Sequence, residues 1–181
     1  MYSIYAYMAL GKMGVKIFFR NIIPVTLISL ATCSSAACIP VNIEASKKLG
    51  VSADIVETII PMGTSFHKDG SIIGSVFKIM FLVCLFGTDI GSPMMLGKIL
   101  IVASIANLLV IAVPIGGGTI SETLIISMLG YPMGSLPILT IIATIIDAPA
   151  PMLNVVGDTS FSMLVARLVD GKNLFKKKKS I

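Results

Sequence analysis

The stretch IDAPAPMLNVVGD (146–158) places two carboxylates, a carboxamide and two prolines inside an otherwise apolar span, and few folds can accommodate that. An ionisable side chain at membrane depth is costly and marks a functional site. Backbone that leaves helical bonding at that depth survives only where protein or a water-filled cavity surrounds it. Asp147, Asn154 and Asp158 are spaced by seven and four, which at about 100° per residue returns all three to one helical face. Pro149 and Pro151 each remove an N–H and clash with the preceding turn. The helix is therefore expected to open between Asp147 and Met152, leaving carbonyls free beside the carboxylates, an arrangement that suits a cation or an ammonium group.

Composition supplies the membrane. Of 181 residues, 55% are hydrophobic and 13% charged, and the mean hydropathy is +0.96; a soluble surface needs far more charge. The chain reads as an all-α, multi-pass protein of the cell membrane, in contact with lipid. Its formal charge of +5 is local, because Lys172, Lys176, Lys177, Lys178 and Lys179 all fall in the last ten residues and the other nine basic residues balance nine acidic ones. A lysine cluster just beyond a membrane helix predicts a cytoplasmic C-terminus. Without a basic face or interleaved aromatics, nucleic acid is excluded as a partner. Cys33, Cys38 and Cys84 form neither a disulfide framework nor a CxxC metal site and are expected as small buried residues. The start, MYSIYAYMALGKMGVK, has no signal-peptide pattern.

Several apolar pieces are too short or too interrupted to cross a bilayer simply. Residues 14–31 run into TCSSAACIP and then the polar IEASKKLG, the pattern of a re-entrant hairpin. Residues 51–87 are long enough to cross, but PMGTSFHKDGS (61–71) sets Pro61, Gly63, the only histidine, Lys68, Asp69 and Gly70 near the middle. After the turn-rich TDIGSPMMLG (88–97), residues 98–112 lead to VPIGGGTISE, where Pro114 and three glycines end the helix. The return limb runs to about Leu129, GYPMGSLP turns the chain, and a last span begins near Leu136. The expected order is an N-terminal segment 1–13, hairpin 1 at about 14–49, a broken helix 51–87, hairpin 2 at about 96–129, a broken helix at about 135–171 and a basic tail 172–181. Two hairpins alternating with two broken helices read as a structural repeat with a substrate and ion site near the midplane.

Four motifs in this order carry a resemblance: SSAACIP (34–40), PMGTSFHKDGS (61–71), VPIGGG (113–118) and NVVGD (154–158). The chain resembles the C-terminal transport core of the dicarboxylate/amino acid:cation symporter family, the glutamate-transporter-like secondary transporters. The resemblance implies two re-entrant hairpins and two broken helices in an inverted repeat, an elevator-type transport core, a homotrimer built on an N-terminal scaffold, and Na+ and/or H+ as coupling ion without a cofactor. Members are roughly twice as long, so the scaffold half is expected from the same gene or a separate chain. Ser34 and Ser35 then meet the substrate carboxylate, Asp147 accepts its amino group and Asn154 adds a polar contact. Gly63, Asp69, Asn154 and Asp158 hold cations, with sodium at Asp69 and Asp158, while Val113, Pro114 and Gly116 belong to an extracellular gate reaching Gly118.

The sequence departs from the family in three places. The arginine that reads acidic substrates falls at Ala150, with Pro151 in place of the adjacent threonine. In the family's NMDGT motif, the asparagine is His67 and the methionine Lys68. Glu122 stands in an apolar limb, where its water-exposed end is the expected position. With no guanidinium at Ala150 to pair a second carboxylate, whose unpaired burial costs several kcal/mol, a small neutral amino acid is the expected substrate. An ammonium at Lys68 beside Asp69 can play the electrostatic part of a bound ion, and His67 can titrate near neutral pH or simply bond a neighbouring carbonyl. Weakened sodium dependence follows, with His67 and Lys68 as coupling candidates. Three other readings stay open: an interaction-only or nonfunctional membrane fragment, an acidic amino acid or C4-dicarboxylate symporter, and an intramembrane enzyme using Asp69 with Asp158 or Ser34 with His67.

Overall fold

A computed structural model describes residues 1–110 and 117–171. Helices, short 3-10 turns and connecting loops make up the described residues, and no strand occurs among them. The helices are α1 (Tyr2–Thr32), α2 (Ile39–Lys48), α3 (Ala53–Phe66), α4 (Asp69–Phe86), α5 (Pro93–Val110), α6 (Gly117–Leu129), α7 (Leu136–Ile146) and α8 (Pro149–Val169). Among the described residues four stretches are long and apolar enough to cross a membrane: Tyr2–Thr32, Ala53–Phe86 (carried by α3 and α4), Pro93–Val110 and Pro149–Val169. A crossing takes about 20 residues, so α6 and α7, at 13 and 11, are too short.

The chain forms two compact units, one of Met1–His67 with the chain from Pro151 onward, the other of Lys68–Ala150. In the first, α2 packs on α1 and α3. Ala6, Ala9, Gly14, Phe18, Ile22, Val25 and Ser29 form the buried stripe of α1, recurring at the three- to five-residue spacing of one helical face. That stripe meets Leu49, Val56, Ile60, Val155 and Met163 in an apolar core. In the second, α4, α5, α6 and α7 pack around Ile79, Leu82, Ile99, Ala103, Ile125, Ile126 and Leu139. Large apolar side chains such as Ile23, Leu27, Phe77, Leu100, Ile101, Leu108, Ile141 and Ile145 stay exposed; a surface this apolar suits hydrocarbon, not water.

The structure departs from the sequence reading at several points. Residues 1–13 belong to α1 and bring Ala6 and Ala9 into the first core, with a kink at Leu10 and Gly11, whose φ of 64° and ψ of −153° are open to glycine without strain. Pro61 and Gly63 lie inside α3, and the interruption is confined to His67 and Lys68. The later break is equally narrow. It occupies Asp147 and Ala148, because Pro149 and Pro151 fall in the first turn of α8, where a missing N–H forfeits no intrahelical bond. Among the cysteines only Cys38 is buried, while Cys33, in a left-handed cap at the end of α1, and Cys84 are exposed. Val113, Pro114 and Gly116 of the expected gate, and the basic tail 172–181, lie outside the described residues.

Candidate functional site

In the first unit the chemistry gathers at Asp158, whose side chain has no exposed surface. It sits on α8 against the last turn of α3. His67 Nδ1 lies 3.1 Å from Oδ1, and the Thr64 hydroxyl, which donates to the Ile60 carbonyl at 2.9 Å, lies 3.5 Å from Oδ2. Two glycines permit this approach. A Cβ on Gly63 would come 2.4 Å from Asp158 Oδ1, and one on Gly157 would come 2.3 Å from His67 Cε1, both well inside van der Waals contact. The Gly63 carbonyl accepts the His67 N–H at 2.7 Å. On the same helix, Asn42 of α2 donates to the Val155 carbonyl at 3.1 Å and accepts the Thr159 hydroxyl. This buried amide ties α2 to α8 beside Asp158. Asn154 is 1% exposed. A carboxylate, a hydroxyl and a helix-end carbonyl supply the oxygens that hard cations select, while the imidazole is a nitrogen group that sodium does not favour.

In the second unit the chemistry gathers at Lys78. Its ammonium lies 2.8 Å from Asp147 Oδ1 and 2.9 Å from Oδ2, and 3.6 Å from Glu122 Oε1. The Lys78 and Glu122 side chains are 4% and 2% exposed, whereas that of Asp147 is 44% exposed. Glu122 Oε2 accepts the Thr140 hydroxyl at 2.6 Å, so α4, α6 and α7 each contribute to one cluster. Asp147 caps the C-terminus of α7, where the proline two residues on keeps Ala148 from continuing the helix. The negative end of the helix dipole and the carboxylate together favour a cation there. One turn before Lys78, a Cβ on Gly74 would come 3.2 Å from Ile146 Cγ2 and 3.9 Å from Asp147 Oδ1. Below the charges, Asn107 of α5 donates to the Ser75 hydroxyl at 2.8 Å.

The other expected residues are distributed between the units. Ser34 and Ser35 form the turn after α1; the Ser34 hydroxyl accepts the Ala37 N–H at 3.3 Å, and Ser35 is 8% exposed. Asp69 opens α4 and accepts the Gly70 N–H at 2.9 Å, with Lys68 preceding it as the helix cap. Asp69 lies in the second unit and Asp158 in the first. Ala150 is 6% exposed. Glu122 corrects the expectation of a water-exposed position, being buried between Thr140 and Lys78. Lys78 escaped the sequence reading altogether. Its signal was present: it is the only charge in α4 beyond Asp69, and Glu122 is the only charge in α6. Two lone opposite charges in apolar helices predict a buried pair, since neither is stable alone.

A sequence profile described as the sodium:dicarboxylate symporter family matches residues 1–168. The chain is similar to the L-cystine uptake protein TcyP of Bacillus anthracis, 26% identical over 83% of this chain and 32% of that protein. It is similar also to the human neutral amino acid transporter A, 28% identical over 72% of this chain and 24% of that protein. The human excitatory amino acid transporter 2 is 23% identical over 83% of this chain and 26% of its own length. The chain thus spans about a quarter to a third of the length of these relatives.

Proposed function

Because this chain belongs to the sodium:dicarboxylate symporter family, transporters rather than enzymes, and has among its described residues four stretches fit to cross a membrane, we propose that it is the binding core of a cation-coupled symporter for small neutral amino acids. One observation carries the choice of substrate. Lys78, the cation beside Asp147, is already shared with the buried Glu122, and Ala150 offers no charge. The neighbourhood is therefore rich in carboxylate: it welcomes an ammonium and repels a second substrate carboxylate, whose unpaired burial costs several kcal/mol. The name of one relative, a neutral amino acid transporter, agrees with this reading.

In this proposal Asp147 receives the substrate ammonium, Ser34 and Ser35 its carboxylate, and Asn154 a further polar group. Asp158 with Thr64 and the Gly63 carbonyl serves one coupling ion, Asp69 a second, and His67 and Lys68 weaken the demand for sodium. The segment from Val113 through Pro114 and Gly116 to Gly118 is the gate. The helix pairs α1–α2 and α5–α6 are the re-entrant hairpins of an inverted repeat. The core moves as an elevator against a trimeric scaffold from the same or a separate chain, with its C-terminus cytoplasmic. Each unit holds one pair of packed helices, α1 with α2 or α5 with α6, and parts of both interrupted helices, which supports the repeat. Calorimetric titration of the chain in lipid nanodiscs tests the substrate: L-alanine or L-serine should bind more tightly than L-aspartate, and Asp147→Asn should weaken L-alanine at least about tenfold. A clear preference for L-aspartate would sink the proposal.

A further inference from the structure

Lys78 is held by two carboxylates, and unequally. It makes short contacts to both oxygens of Asp147, at 2.8 and 2.9 Å, but stands 3.6 Å from Glu122 Oε1. Charge-assisted N–H···O contacts close to about 2.7–2.9 Å, so Lys78 is hydrogen-bonded to Asp147 and only ion-paired, at a longer distance, with Glu122. Thr140 secures the other oxygen of Glu122 at 2.6 Å and keeps Oε1 turned toward the ammonium. One ammonium for two carboxylates leaves the trio with a formal charge of −1, and Glu122, 2% exposed, stands where an unpaired charge costs several kcal/mol. The deficit is that of one further cation. Among the three side chains only that of Asp147, 44% exposed, offers a face to it.

We propose that Lys78 is an exchange partner for the substrate: it holds at Asp147 the place that a primary ammonium takes, and withdraws onto Glu122 when that ammonium arrives. The proposal rests on the reading that Asp147 receives an amine. A lysine suits the task because its compact ammonium rides on a flexible four-carbon stem, which an arginine fork does not match. After the exchange two ammoniums face two carboxylates and the deficit is gone. Lys78 is then a specificity-determining residue. It excludes molecules that lack an amine, since these cannot replace it at Asp147, and it keeps the carboxylate paired while the site waits.

The test uses the whole chain in nanodiscs with ¹³Cε-labelled lysine, the Lys78 signal being the one missing from Lys78→Met. Methylammonium and L-alanine should each move that signal, while sodium propionate at the same ionic strength should not. A signal unmoved by both amines, or moved equally by sodium propionate, overturns the exchange. Affinity supplies a sign reversal that a purely structural lysine would not produce. Glu122→Gln removes the place of retreat and should weaken L-alanine about tenfold, whereas Lys78→Met with Glu122→Gln removes the competitor and should bind L-alanine about tenfold tighter than the parent. Equal weakening in both variants, or no change in either, refutes the proposal. A Lys78 signal that responds to methylammonium while L-alanine fails to bind keeps the exchange and sinks the amino acid reading. L-alanine binding beside a static Lys78 signal does the reverse.

Discussion

Gly63→Ala probes the approach of α3 to α8 most directly, because the added methyl would sit 2.4 Å from Asp158 Oδ1 and 2.8 Å from its Cγ. In an unobstructed helix interior alanine is more stable than glycine by about 1 kcal/mol. Here the Asp158 side chain is short and fully buried, so it cannot swing aside into solvent. Overpacking costs about 1–3 kcal/mol, and displacing the carboxylate from His67 and Thr64 forfeits hydrogen bonds to a charged group worth about 1.5–3 kcal/mol. Set against the propensity gain, the net loss is about 1.5–5 kcal/mol. Unfolding of the chain in mixed micelles by sodium dodecyl sulfate titration measures it. The companion experiment places Gly63→Ala in an Asp158→Ala background, where the obstruction is gone and the same substitution should become neutral or stabilising by about 1 kcal/mol. A Gly63→Ala chain as stable as the parent, with Asp158 intact, would falsify the packing described here.

Asn42→Ala should cost about 1–2 kcal/mol in the same titration, because it removes two buried hydrogen bonds while the Thr159 hydroxyl and the Val155 carbonyl keep each other as partners at 2.9 Å; a loss below about 0.5 kcal/mol would contradict that role. Lys47→Ala, by contrast, removes only the 2.7 Å pair with Glu57, whose side chains are 41% and 59% exposed, and should change stability by less than about 1 kcal/mol. His67→Asn replaces a ring nitrogen beside Asp158 with a group that offers a neutral carbonyl oxygen. L-alanine affinity, titrated against sodium concentration, should then depend on sodium more steeply than in the parent, and identical curves would remove His67 from the coupling.

The sequence by itself determined the class of molecule and the places where helices stop. Apolar stretches with so few charges have no folded alternative outside a bilayer, and the runs around Cys33, His67 and Asp147 break helices because small, polar and proline-flanked residues cannot sustain an uninterrupted ladder at those points. The width of the breaks was not legible. Pro61 is absorbed within α3 and Pro149 within the first turn of α8, because a proline's effect depends on which helical position it occupies. Partner choice lay beyond the one-dimensional pattern as well. Asp147, Asn154 and Asp158 look alike as polar residues of one stretch, yet Asp158 is set against His67 and Thr64 in one unit and Asp147 against Lys78 in the other. Lys78 and Glu122 are 44 residues apart in the chain, and nothing local to either names the other. A buried charge must be met by an opposite one, but which one meets it is decided by helix packing, and here glycines at 63, 74 and 157 set how closely the backbones and side chains come together.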